Sequence, residues 1–278
     1  MHPTFQIVPQ SSRVLQYEQC KLIIDAGQNH FSFAVQLIGT NEFVALEYYQ
    51  FKVDKQEELK QLMTSHNLLQ QEYGVVEVFY NNANGLLIPD RYFQEDHTSQ
   101  WLELVNGDLH EELPLQDRIA EMEVRHVYSV PPALHEELVR KYPIASFSHF
   151  NTGWLKKKFR HTQKSTVMEV VLYPSHIIVS FWKEDRLLII QCFEYDTPED
   201  VAWCLLNVTS QWEMEPAGLP VVVSGLVEIQ SPMYAEIKKY FLDVELDARP
   251  ADFQYDFSFD NYPQHFFSPI FSLALCGS

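Results

Sequence analysis

The feature that most constrains this chain is a long-period duplication. Residues 22–38, LIIDAGQNHFSFAVQLI, are an apolar run ending at Asp25, a turn through Ala26-Gly27-Gln28-Asn29, and a second run from Phe31. β-Favouring residues alternating around positions that tolerate unusual backbone angles read as strand, tight turn, strand. The pattern returns in residues 168–182, MEVVLYPSHIIVSFW, with a Pro-centred turn. The segments after each copy also match, so the repeat outranks any local motif.

In the first copy, EFVALEYYQF (42–51) reads as a third strand. A helix follows, with Asp54 as N-cap and Glu57 in a capping box. Its apolar stripe is Leu59, Leu62, Met63, His66, Leu69 and Tyr73, stopped by Gly74. VVEVFY (75–80) reads as a buried strand, and LLIPDRYF (86–93) as a short helical segment entered through Pro89. Residues 94–120 read as an acidic surface excursion. EMEVRHVYSV (121–130) reads as a strand, and Pro131-Pro132 open a helix.

Residues 151–165, NTGWLKKKFRHTQKS, are the basic boundary between the copies. The domains implied are therefore 1–150, a linker over 151–165, and 166–278. In the second copy three strands precede a helix with Thr197 as N-cap and Pro198 at its first position. Its buried stripe is Val201, Leu205, Val208 and Trp212. LPVVVSG (219–225) matches 75–80, and Ser231-Pro232 cap a further helix. Residues 252–260 alternate like a strand, and a last helix runs from Ser268 to Cys276, stopped by Gly277.

Composition narrows the function classes. With 38 acidic and 20 basic side chains the net charge is −18, which repels phosphate backbones and acidic lipid, so neither nucleic acid nor a membrane is an expected partner. No apolar run approaches the roughly 18–20 residues of a membrane span, and residues 1–13 lack the apolar core of a signal peptide. The four cysteines form no CxxC pair. Buried reduced thiols, and hence the cytoplasm, are the expectation. His135-Glu136-Glu137 lacks the second histidine of a zinc-protease helix, and no metal site is expected. A nucleophile elbow, a P-loop and a GxGxxG are likewise missing from the sequence.

Each copy reads as β-β-β-α-β-α-β-α, the order of a ribonuclease-H-like unit. The fold class expected is α/β, two such units in tandem, the architecture of the actin, sugar kinase and heat-shock chaperone superfamily. Nearly end to end the chain resembles an uncharacterised bacterial family with an actin-like ATPase fold. The resemblance is carried by LIIDAGQNHFSFAV, LLIPDRYF, VYSVPPALHEEL (127–138), SHF (148–150) and the closing LALCG. More distantly the chain is similar to the PilM pilus-assembly proteins.

The resemblance implies ATP and Mg²⁺ held between two Asp-x-Gly hairpins, with a Gly-Gly turn for the adenosine. Glycine is needed where backbone must approach a ligand closely. Asp25-Ala26-Gly27 keeps the first hairpin. The second, Leu172-Tyr173-Pro174-Ser175, sets Leu172 at the carboxylate and Pro174 at the glycine, and proline removes an N–H. Ser224-Gly225-Leu226 keeps one glycine of the adenosine turn. Candidate cofactor-binding residues are Asp25, Gly27, Ser224 and Gly225, with no catalytic residue. The expectation is a non-catalytic interaction or scaffold component with an unknown protein partner and a degraded nucleotide cleft. The alternative is an ATP-binding protein or slow ATPase.

Overall fold

The computed structural model describes residues 2–8, 14–51, 55–107, 111–158 and 166–276. In chain order the elements are β1 (Phe5–Ile7), β2 (Cys20–Gly27), β3 (His30–Leu37), β4 (Glu42–Gln50), α1 (Lys55–Ser65), β5 (Val75–Asn81), β6 (Gly85–Pro89), α2 (Thr98–Asn106) and β7 (Leu113–Ile119). There follow β8 (Val124–Val130), α3 (Pro132–Lys141), β9 (Ser146–His149), α4 (Phe150–Lys157), β10 (Val167–Leu172), β11 (His176–Lys183), β12 (Arg186–Glu194) and α5 (Pro198–Gln211). The chain continues through β13 (Val221–Gly225), α6 (Pro232–Lys238), β14 (Val244–Leu246), β15 (Gln254–Tyr255) and α7 (Ser268–Leu273). It divides into two compact units. The first is 1–160 with 251–261 and 273–278; the second is 161–250 with 262–272.

In the first unit the main sheet runs β1-β4-β3-β2-β5-β9, with β15 also pairing β4. β2, β3 and β4 are consecutive antiparallel strands, and β5 and β9 add parallel to β2. Leu22, Ile24, Phe33 and Val35 face a core completed by Leu59, Leu62 and Met63 of α1. A separate three-stranded sheet, β6-β8-β7, takes β7 from the excursion and β6 and β8 from the segments on either side of it.

The second unit repeats the plan as β12-β11-β10-β13-β14, with β10, β11 and β12 antiparallel and β13 parallel to β10. Its α5 begins with the expected Thr197 N-cap and Pro198, and the cap is a full capping box: Thr197 Oγ1 accepts from the Asp200 N–H, and the Asp200 carboxylate accepts from the Thr197 N–H at 2.8 Å. Val201, Leu205 and Val208 are buried, while Trp212 ends the helix 38% exposed and so leaves the stripe. The duplication extends to an irregularity. β4 carries an extra residue opposite Val35/Gln36, and β12 carries one opposite Phe181/Trp182, at the same place in each unit.

Several expectations are corrected. Residues 86–93 supply strand β6 before a single 3-10 turn. The excursion at 94–120 is ordered as α2 and β7 rather than irregular. Pro114 is tolerated in β7 because β7 is an edge strand, where a missing N–H breaks no ladder. Residues 252–260 give only two residues of strand, because the Asp256 carboxylate accepts from the Ser258 N–H at 2.9 Å and turns the chain.

The basic stretch after the first copy begins as helix α4. Phe150, Trp154 and Leu155 bury an apolar face, and lysines in the last turn suit the negative end of the helix dipole. The Lys157 ammonium sits over the Trp154 ring, 3.0 Å from its centre. Helix α1 ends at Ser65, short of Gly74. Asp54, Gly277 and the rest of the basic stretch lie outside the described residues.

Candidate functional site

The carboxyl ends of β2, β5 and β9 lie side by side, with Gly27 opposite Asn81 and Tyr80 opposite His149. In open α/β sheets this is the edge where ligands sit. Here it carries a buried polar network. Asp25, near the end of β2, is 2% exposed. Its Oδ1 accepts from the Asn81 carboxamide at 3.0 Å, and its Oδ2 lies 3.1 Å from His30 Nε2.

Gly27 and His30 flank a two-residue turn, and the His30 ring takes the space over the glycine. A Cβ on Gly27 would lie 2.0 Å from His30 Cε1. The glycine thus admits an imidazole of its own hairpin, and that ring stacks at 6° on Tyr48.

The network continues to β9 and α4. His149 caps α4 through Nδ1, which accepts the Asn151 N–H at 3.0 Å, and its Nε2 donates to the Asn82 carbonyl at 3.0 Å. Both ring nitrogens are therefore used by the neutral form. Burial pushes its pKa down to about 4, against the smaller upward pulls of the Asn82 carbonyl and Asp25. His126 meets it edge to face at 4.5 Å and is held well below the usual histidine range by burial and by His149.

Asp117 accepts from the His149 N–H at 2.7 Å and from the Tyr128 hydroxyl at 3.2 Å. Burial raises its pKa, opposed by those bonds, by Thr152 and by Lys156. A pocket of about 220 Å³ opens beside Thr152, lined also by Glu77, Phe79, Ser148 and Lys156. It is smaller than the roughly 300–1,000 Å³ of drug-sized ligand sites, and Glu77 in its wall is paired with Lys21 at 2.7 Å. Among the described residues no group of three or more His, Cys, Asp or Glu is arranged to hold a metal ion.

The second unit places its hairpin at the matching position, one residue out of the expected register. The Tyr173 N–H donates to the His176 carbonyl at 3.0 Å across the turn Pro174-Ser175. Tyr173 therefore corresponds to Gly27 and Val171 to Asp25, rather than Pro174 and Leu172. A histidine again follows the turn, and the Tyr173 ring stacks on His176 at 4.7 Å and 8°. The Tyr195 hydroxyl closes the hairpin from outside, donating to the Tyr173 carbonyl at 2.6 Å.

Ser224 and Gly225 end β13 beside this hairpin, with Gly225 opposite Leu172. Gly225 has φ +86° and its N–H donates to the His265 carbonyl at 2.8 Å. His265 Nε2 donates to the Val227 carbonyl at 2.7 Å, which closes the turn around itself.

Asp25 and Gly27 thus share one hairpin of the first unit, and Ser224 and Gly225 one turn of the second. His30, Asn81, Asp117, His126 and His149 were not picked out from the sequence. His30 and His176 share one sequence signal, a histidine directly after each hairpin turn. The others meet only through tertiary structure.

Two tandem units of this topology define an actin-like ATPase fold. The solved structures agree. A protein from Bacteroides thetaiotaomicron VPI-5482 with actin-like ATPase fold and unknown function aligns with TM-score 0.73 and 18% identity, over 89% of this chain and 98% of that one. The PilM–PilN type IV pilus biogenesis complex aligns with TM-score 0.56 and 10% identity, over 92% of this chain and 97% of that one. The chain belongs to the family described as a protein of unknown function, DUF3822, whose profile matches residues 9–244. No curated protein matches the sequence. Among the described residues, no helix is long and apolar enough to cross a membrane.

Proposed function

We propose that this chain is a non-catalytic, cytoplasmic protein of actin-like fold that acts as an interaction or scaffold component, its nucleotide site degraded. The observation that carries this reading is the closed first hairpin. The Asp25 carboxylate, which would act on Mg²⁺ or its water, is taken up by Asn81 and His30, and the His30 ring covers Gly27. The residues present do not fit Mg-ATP. Phosphoryl transfer depends on positioning and on cancelling charge at the phosphate oxygens. The second hairpin offers Val171 and Tyr173 where a carboxylate and a glycine would serve.

A role among proteins is supported by two features. PilM, of the same fold, is solved as part of a complex with PilN. The net charge of −18 disfavours nucleic acid and acidic lipid as alternatives.

A phosphate-release assay with Mg²⁺ tests the catalytic half of the reading. The expected result is release at background, identical for the wild type and Asp25→Ala. Loss of a single preorganised donor costs enzymes about 10²–10³ in rate, and more than one feature is missing here. Turnover above background that Asp25→Ala abolishes would overturn the reading and establish the ATPase alternative.

A further inference from the structure

The pocket beside Thr152 is lined entirely from the first unit, and its walls carry both signs of charge. Glu77 and Phe79 of β5 stand opposite Ser146 and Ser148 of β9, which puts all four on one face of the sheet. Helix α4 lies over that face. Gly153 lets it approach closely, since a Cβ there would sit 3.0 Å from Phe79 Cε1. Between helix and sheet a space of about 220 Å³ is left, with Lys156 of α4 in its wall.

Several polar groups around this space are not used by the protein itself. Glu77 is 4% exposed, and Lys21 takes its Oε2 at 2.7 Å while also donating to the Ala274 carbonyl at 3.4 Å. Among the described residues the other oxygen, Oε1, accepts no hydrogen bond, a costly state for a buried carboxylate. The Lys156 ammonium forms no ion pair or hydrogen bond among the described residues, although it lies near enough to Asp117 to favour the charged form of that carboxyl. The Ser146 and Ser148 hydroxyls are likewise unengaged among the described residues. The Thr152 hydroxyl differs, being held by His126 and Asp117.

We propose that this pocket binds a small zwitterion, a free α-amino acid with a short side chain. Its ammonium donates to Glu77 Oε1, its carboxylate accepts from Lys156 and the two serine hydroxyls, and its side chain lies against Phe79. The volume is below that of drug-sized ligand sites and suits so small a molecule. A chain of net charge −18 opposes a bare anion, whereas a zwitterion adds no charge. A ligand lacking either charge leaves Glu77 or Lys156 without its partner, and that sets the specificity. None of these contacts uses the Asp25 hairpin, so amino-acid binding is independent of the nucleotide question.

Isothermal titration calorimetry of the full chain with glycine, L-alanine, L-serine and L-valine tests this. At least one should bind at one site per chain with a Kd below about 1 mM. The tightest binder is then compared with its deaminated and decarboxylated counterparts, which for L-alanine are propionate and ethylamine. Each counterpart should bind at least about tenfold more weakly. Lys156→Met and Glu77→Gln should each weaken the amino acid by a similar factor. Lys156→Met removes no ion pair or hydrogen bond among the described residues, so it keeps the test valid even where loss of the Lys21–Glu77 pair unfolds Glu77→Gln. No binding by any of the four amino acids up to about 10 mM, a counterpart that binds as tightly as the amino acid, or unchanged affinity in Lys156→Met would each overturn the proposal.

Discussion

Gly225→Ala is expected to destabilise the protein by about 2–4 kcal/mol, a large effect for the addition of one methyl group. With φ +86° the residue lies where an L side chain is strained. A Cβ there would sit 2.2 Å from the Leu172 carbonyl oxygen, 2.8 Å from Leu172 N and 2.9 Å from its carbonyl carbon. All three are backbone atoms of the neighbouring strand β10, so no rotamer change relieves the contact. The same carbonyl accepts the Leu226 N–H at 2.8 Å, and that bond would also be lost. Gly218 is the control, since a Cβ there meets nothing within 4 Å and Gly218→Ala should be neutral or slightly stabilising. Urea denaturation of the two variants decides the matter. A Gly225→Ala loss below about 0.5 kcal/mol would show that this glycine is not held by its strand neighbour, and would reopen a ligand as the reason for it.

The second large effect is on pH. His149 is neutral and buried, with its pKa down at about 4, whereas an unfolded histidine titrates near 6.5. Between these values the unfolded chain binds a proton that the folded chain does not. The stability contribution is therefore complete above about pH 6.5 and is lost as the pH falls toward 4. The loss from His149 is about 3 kcal/mol at the bottom of that window.

His126 acts in the same direction. Asp117, whose raised pKa favours protonation in the folded state, opposes in the lower part of the window. Protonating His149 at Nδ1 also sets a second donor against the Asn151 N–H and removes the cap of α4. Denaturation midpoints at about pH 7 and about pH 4.5, for the wild type and for His126→Phe/His149→Asn, measure the effect. The wild type should lose more stability than the double variant. Parallel pH profiles would show that the histidine pair is not the cause.

Much of the fold was legible because the pieces that define it have strong local signals. The hairpins at residues 22–38 and 168–182 alternate with period two around turn residues, and Thr197-Pro198-Glu199-Asp200 carries a full helix start. The segments misread are those whose structure is imposed from outside. β7 contains Pro114, Asp117 and Arg118, poor strand formers, and is a strand because β8 pairs with it. β15 is two residues laid against β4. In α4 the cationic end hides an apolar face that has meaning only against the sheet.

The site was legible to the same degree. Asp25, Gly27, Ser224 and Gly225 stand out as turn residues. Their neighbours do not, because Asn81 and His149 lie far from Asp25 in sequence and come near it only when β2, β5 and β9 align, and Asp117 joins them only through its bond from the His149 N–H. A one-residue slip separated Leu172 and Pro174 from the positions that Val171 and Tyr173 hold, since the second hairpin closes between Tyr173 and His176.

The most direct measurement on the proposed nucleotide-free role is the unfolding temperature of the purified chain across a Mg-ATP titration. A ligand at about 100 times its dissociation constant stabilises a folded protein by about 2.7 kcal/mol. With Asp25 engaged by Asn81 and His30, and with Gly27 beneath an imidazole, no shift is expected at millimolar Mg-ATP. A saturable rise in unfolding temperature that disappears in Asp25→Ala would contradict the closed-hairpin reading.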